Sequence, residues 1–301
     1  VLAGAPGSPA QLRFPSGIAL DSQGNIYVAD QGNHRVLKLS PRGEVLASWG
    51  SYGSGPGEFD RPFSLAVDPQ GSIVVADTNN DRVQKLSASG VPLAAWGSRG
   101  AGPGQFDQPE AVAVDRHGDI YVADTHNHRV QKLASWGQPL AQWPLPNPGP
   151  RLSSPAGLAV DRYGSLFVSD WINDRILKFT PSGQVLARWG REGERPGQFE
   201  IPFGVALDAA GNLYVADWGN QRIQELSPTG EPLAQWGGPG TAPGEFHDPQ
   251  GVALDVQGNL YVADAGNNRV QKGTLVTALP SATLSPAARA GDAPRLDAAA
   301  W

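Results

Sequence analysis

Five histidines, one isolated glutamate and a handful of large aromatics are the residues of this chain with chemistry to offer. His34, His126, His128 and His247 fall in loop-like segments around one recurring turn, and His117 falls in a different turn. A zinc ion needs its ligand atoms about 2 Å away. His126 and His128, two residues apart, are spaced to share one ion, whereas the others are too far along the chain to join them without help from the fold. Glu110 is a lone acid around which a calcium- or zinc-dependent site could form. Trp171, Trp218 and Phe203 could form an apolar stacking surface for a peptide, a sugar or another hydrophobic group. The chain has no Cys, which removes disulfides, thiolate metal sites and cysteine nucleophiles from consideration.

What positions these residues is an internal repeat. The 301 residues include 38 Gly and 27 Pro without a collagen period, 8% aromatics and 17% charged residues, a composition that points to a turn-rich all-β globule. A Pro opens each of six units, at Pro15, Pro62, Pro109, Pro155, Pro202 and Pro249, in steps of 47, 47, 46, 47 and 47. Gly24, Gly71, Gly118, Gly164, Gly211 and Gly258 keep the same steps. So do Asp30, Asp77, Asp124, Asp170, Asp217 and Asp264. So regular a period leaves no room for a second globular domain.

Each unit contains four short strand-like runs, a to d. Strand a is of the Gly-Val-Ala-Leu type and ends at an Asp-x-x-Gly such as Asp21 to Gly24, which predicts a type I turn into strand b. Strand b runs into the repeated Asp, strand c starts at an Arg, and strand d ends at Trp49, Trp96, Trp143, Trp189 or Trp236. Four antiparallel strands in each of six units predict a six-bladed β-propeller. The sixth unit stops after strand c, near Lys272. Aligning Ser8 to Leu12 with Gly102 to Phe106 places Leu2 at the strand d Trp, so residues 1–3 are expected to complete blade six, with Thr274 to Leu279 as the competing closure. The propeller is expected to occupy residues 1–279 and an Ala/Pro-rich flexible tail residues 280–301.

The string Pro-x-Gly-Val-Ala-x-Asp-x-x-Gly-Asn-x-Tyr-Val-Ala-Asp-x-x-Asn-x-Arg-Val-Gln, preceded by Gly-Pro-Gly-x-Phe, resembles the NHL repeat, and the resemblance covers roughly residues 9–272. It implies the same six-bladed propeller. NHL propellers commonly serve as interaction modules or sensor ectodomains. Similar propellers include metal-dependent peptidyl amidoglycolate lyases, and lactonase-like propellers hold calcium with several Asp, Asn and Glu around the channel. The lyases' channel-facing metal histidines have no match here, since no His starts a strand a or b.

The net charge of −6 belongs to the scaffold. Six Asp lie in a–b turns, six more end strand b, and six Arg from Arg35 to Arg269 follow them; without these, 17 acids face 17 bases. In Asp-x-x-Asn-x-Arg, Asn suits a left-handed turn position, and Asp and Arg can pair across the b–c hairpin while the carboxylate caps turn amides. No basic face for nucleic acid emerges. Function is then sought where the copies disagree: at the b–c tips, and at the position after the opening Pro, which reads Ser16, Phe63, Glu110, Ala156, Phe203 and Gln250 around one mouth of the channel. Trp171, Trp218, Phe203, Phe63, Glu110, His126 and Gln250 are the candidate ligand-binding residues, although the indoles also suit packing between blades, and the histidines suit solvated turns.

The reading that follows is a non-catalytic, monomeric ring that presents its loop-bearing top face to a protein or peptide, or to a glycan, without a cofactor. Its alternatives are a divalent-metal (Ca or Zn) lyase or hydrolase at the channel mouth and single-stranded RNA binding. No run approaches 18 apolar residues, so membrane insertion is not expected. The chain opens on Val, which suggests that something upstream was removed; the compartment stays open, leaning to an extracytoplasmic bacterial protein or ectodomain. The near-equal units also suit consensus design.

Overall fold

The computed structural model describes residues 1–4, 10–147 and 153–274. The expected tail and all of the competing closure segment beyond Thr274 lie outside the described residues. Alternation of apolar and polar residues in runs of five or six, punctuated every few residues by Gly, Pro, Asp or Asn, yields short antiparallel strands and nothing longer. Each sheet has its strands in chain order, and five of the six sheets have four. Together they form a six-bladed β-propeller.

The inner strands a are Pro15–Leu20, Pro62–Val67, Pro109–Val114, Pro155–Val160, Pro202–Leu207 and Pro249–Leu254. They line the central channel. Five of the six strands b are buried along their whole length, as at Ile26–Asp30 and Leu213–Asp217, and the sixth, Asn259–Asp264, is buried beyond its first residue. The core is divided into six apolar clusters, each between two neighbouring blades; one joins Tyr27, Val36 and Ala29 of the first blade to Leu65, Ile73 and Leu86 of the second. The sheet faces of one blade are therefore covered only by its neighbours, so the stabilising burial requires a closed ring.

Closure departs from the repeat. Among the described residues blade six has three strands, and Ala3 makes an antiparallel bridge to Val270, with hydrogen bonds from Leu2 and Ala3 N–H to the Val270 carbonyl and from Val270 N–H back to Ala3. Val270 is the equivalent of Val36, whose cross-strand partner is Trp49. Ala3, rather than Leu2, therefore stands at the Trp register. The loop to the next blade is one residue shorter than the alignment assumed. Leu2 lies against Gly43 mainly through its backbone, where Gly90 meets the ring of Trp49.

The repeated Asp, Asn and Arg form a common girdle beneath the top loops. Each Arg Nε donates to the Oδ2 of the Asp opposite it on strand b at 2.6–2.8 Å. The other carboxylate oxygen accepts a backbone N–H from the incoming d–a loop at 2.7–2.9 Å, as Asp77 does from Asp60 and Asp170 from Ser154. The carboxylate thus ties the loop to the blade instead of capping the tip. The Asn also differs from expectation. In the first four blades it closes a three-residue 3-10 turn, as in Thr78–Asn80, and its Nδ2 donates to the Asp carboxylate. The left-handed position is the next residue, His34, Asp81, His128, Asp174, Gln221 or Asn268, at φ of 51–56°.

Candidate functional site at the channel mouth

The residue after each opening Pro is set by a backbone irregularity. Pro62 pairs with Asp77 and Ser64 with Ala76, so Phe63 is an extra residue in its strand; Glu110, Ala156 and Gln250 are extra in the same way, and the register also shifts around Ser16 and Phe203. Bulges turn side chains off the sheet normal, and here Ser16, Phe63, Ala156, Phe203 and Gln250 line the channel. The carbonyls that the bulges free are met by hydroxyls: Ser16 Oγ donates to Phe63 O and Ser169 Oγ to Phe203 O, both at 2.6 Å. Thr78 and Thr125 likewise donate to Pro109 O and Pro155 O. Gly157 and Gly251 sit where a Cβ would collide with the backbone of the next inner strand, so glycine allows the strands to converge.

Below the mouth the channel leaves a cavity of about 70 Å³. This is room for a few waters, well short of the few hundred Å³ that holds a small molecule. Above it, Phe63 of blade two and Phe203 of blade five meet across the ring with centroids 5.8 Å apart and planes 28° from parallel. Trp171 stacks on Phe203 at 6.1 Å, and Trp218 approaches the same ring at 6.3 Å in a tilted arrangement. All four are only partly buried. Phe203 is the hub: the sequence grouped it with the two Trp, and the fold adds Phe63 from the far side.

Glu110 and Gln250 lie on opposite blades, each the extra residue of its inner strand. Glu110 Oε2 and Gln250 Oε1 are shut off from solvent with no hydrogen-bond partner. Burial alone pushes the Glu110 carboxyl up to about 8, because removing a carboxylate from water without a donor or cation favours its neutral form. His126 is exposed on its tip with Nδ1 3.7 Å from Asp107 Oδ1. His128 turns its Nδ1 to the Ser153 carbonyl at 2.8 Å, so the two histidines do not converge. No group of three or more His, Cys, Asp or Glu is placed to hold a metal among the described residues. The mouth positions offer one carboxyl, one carboxamide and one hydroxyl already engaged with Phe63 O. That donor set does not fit a calcium ion, which takes six to eight oxygens, or a zinc ion, which takes three or four close ligands.

One position escaped the sequence reading. Lys38, Lys85, Lys132, Lys178 and Lys272 recur on strand c, but the fifth copy has Glu225. Lys85 pairs with the a–b turn Asp68 at 2.7 Å. Glu225 instead accepts from Asn212 Nδ2 at 3.0 Å and lies beside Tyr214 and Asp208. Burial, with Asp208 adding to it, raises its pKa. A column-by-column comparison of the repeats would have flagged it.

The ring of six sheets with its inner-strand bulges defines a β-propeller with a closed channel mouth. The NHL repeat model matches residues 12–39, 59–86, 106–133, 199–226 and 246–272, five of the six units, and the chain belongs to the NHL-repeat propellers. No curated protein matches the chain. Among solved structures it is similar to a streptogramin B lyase, at 18% identity and TM-score 0.63 over 90% of this chain and 86% of that one. A catalytically inactive virginiamycin B lyase from Staphylococcus aureus with quinupristin gives 15% identity and TM-score 0.64, covering 89% and 83%. A gluconolactonase from Xanthomonas campestris gives 20% and 0.62, covering 87% and 86%. Likeness at these identities is one of fold. No helix among the described residues is long and apolar enough to cross a membrane.

Proposed function

We propose that this propeller is a binding module that receives a protein or peptide partner on an aromatic platform closing the top of its channel. The observation that carries the reading is the contact of Phe63 with Phe203 across the ring, extended by Trp171 and Trp218. Rigid, half-buried aromatics offer a large contact area at a small cost in side-chain entropy and dominate the energetics of many interfaces. The symmetric girdle beneath them explains how the scaffold holds variable loops without spending those loops on stability. The same ring faces could stack on a glycan, which belongs to the same test.

Peptides selected from a random display library against the immobilised protein, together with a glycan array, test the reading. Ligands so obtained should lose binding to Trp171→Ala and Trp218→Ala variants that retain the wild-type circular dichroism spectrum. Ligands that bind the variants as well as wild type, or a failure to select any, would remove the platform from the account.

A second reading is favoured by Glu110. A buried carboxyl pushed up to about 8 is suited to taking or giving a proton near neutral pH, and proteins of this fold include a lyase and a gluconolactonase. Because the donor set at the mouth does not suit a divalent cation, this reading reduces to metal-free acid–base chemistry at Glu110. Turnover of lactone or elimination substrates that disappears in Glu110→Gln would favour it, and equal turnover in both proteins would dismiss it.

A further inference from the structure

On the face opposite the aromatic mouth, where the a–b and c–d turns emerge, the groove between blades four and five departs from the repeat. It encloses a cavity of about 570 Å³, against about 420 Å³ in the groove between blades six and one. Pockets of a few hundred to a thousand Å³ receive small organic molecules. The two a–b turns that border it account for the room and for its walls. Turn five carries Ala209 and Ala210, where other copies have larger pairs such as Arg116 and His117. Turn four carries Arg162 and Tyr163. Tyr163 is 70% and Leu186 56% exposed, and both line the cavity together with Leu207 and the buried Phe167.

The charges of this groove are also unlike those of its counterparts. In three blades the strand c lysine meets the turn Asp of its own blade: Lys38 and Asp21 at 3.9 Å, Lys85 and Asp68 at 2.7 Å, Lys132 and Asp115 at 3.4 Å. Lys178 of strand c in blade four stands opposite Phe167. Its ammonium lies 4.9 Å from the Phe167 ring centroid and 6.0 Å from that of Trp189, and among the described residues it makes no ion pair. Arg162 lies over the Tyr163 ring at 4.8 Å and is likewise unpaired among the described residues. Aromatic faces attract such cations but leave their N–H donors unused.

The two acids that line the groove are committed to their own turns. Asp161 accepts the N–H groups of Tyr163 and Ser165, both at 2.8 Å, and Asp208 accepts Asn212 N–H at 2.8 Å and Asn212 Nδ2 at 2.9 Å. What is left for an incoming molecule is chiefly cationic donors beside apolar and aromatic walls. Lys272 also lies over a ring without an ion pair among the described residues, but its smaller groove holds neither a second cation nor an exposed aromatic.

We propose that the groove between blades four and five is a binding site for a small organic anion, a carboxylate or sulfonate carried on an aromatic body. Lys178 meets the charge, Arg162 adds to the positive field, and the apolar body lies along Tyr163 and Leu186. The site uses no residue of the aromatic mouth and is independent of the binding role proposed there.

The probes are anilinonaphthalene sulfonate and N-phenylnaphthylamine, which share their rings and differ in the sulfonate, titrated by fluorescence. The sulfonate should bind the folded wild-type protein saturably and at least about tenfold more tightly than the neutral dye. Lys178→Met, which keeps an apolar stem over Phe167, should weaken the sulfonate by about tenfold or more and leave the neutral dye within about twofold. Tyr163→Ala, at an exposed turn position, should weaken both dyes, and Trp171→Ala should change neither. Variants are compared only where circular dichroism matches wild type. Equal affinity of the two dyes for wild type, or no saturable binding, would overturn the proposal without reference to any variant. Unchanged sulfonate affinity in Lys178→Met or Tyr163→Ala would overturn it too, and a loss in Trp171→Ala would move the dye to the aromatic mouth and overturn the groove as its site.

Discussion

Phe63 and Phe203 come from opposite blades of the ring, yet their side chains stack at 5.8 Å across the mouth of the channel. Only a channel narrowed by converging inner strands, with a bulge in each to turn the side chains inward, lets two phenylalanines span it. The pair should couple energetically. In a double-mutant cycle with Phe63→Leu and Phe203→Leu, urea denaturation should give an interaction energy of about 0.5–1.5 kcal/mol. Additive single effects would mean that the rings do not hold each other in solution.

The Glu110 carboxyl makes stability depend on pH in a specific direction. Its folded pKa of about 8 lies above the ordinary value of 4.5, so between these values the folded state holds a proton that the unfolded state has released. Its favourable contribution is complete below about pH 4.5 and is lost as pH rises through about 8. Glu110→Gln should remove this slope and leave the variant more stable than wild type by a few kcal/mol at pH 9. Denaturation midpoints compared at pH 5, 7 and 9 check the expectation, and parallel pH profiles for the two proteins would contradict it.

The Asp217 and Arg222 pair stands for the whole girdle. The carboxylate is fully buried, and the guanidinium nearly so, at an Nε to Oδ2 distance of 2.8 Å. Asp217 also holds the incoming loop through the N–H of Glu200. Asp217→Asn leaves the guanidinium buried without its counter-charge, and a loss of about 3–5 kcal/mol is expected. Thermal unfolding with little change in midpoint would show the pair to be dispensable.

Glu225 interrupts the strand c lysines and faces Asp208 across the hairpin. Glu225→Lys should recreate the pairing seen between Lys85 and Asp68 and raise stability by about 0.5–1 kcal/mol. A drop in urea midpoint would instead assign the acid a favourable role with Tyr214 and Asn212.

The blade count, the strand order within a blade and the identity of the mouth positions were readable from the sequence, because each depends on local and periodic properties. A 47-residue step, an Asp-x-x-Gly turn and an alternating apolar run state their consequences within a few residues, and sixfold repetition multiplies the signal. The pairing of Asp30 with Arg35 was legible for the same reason, since both ends lie in one hairpin. The tertiary structure decided what crosses the ring. That Phe63 touches Phe203 depends on bulges and on the channel radius, and that the Glu110 and Gln250 oxygens go unmet and His126 and His128 turn to different partners depends on neighbouring elements, none of which a single unit encodes. The closure of blade six by Ala3 at the Val270 register was likewise set by chain ends far apart in sequence. Each unit specifies its own blade, and the cost of leaving sheet faces and edges uncovered forces the units into a ring. The contacts at the mouth exist only once that ring has closed.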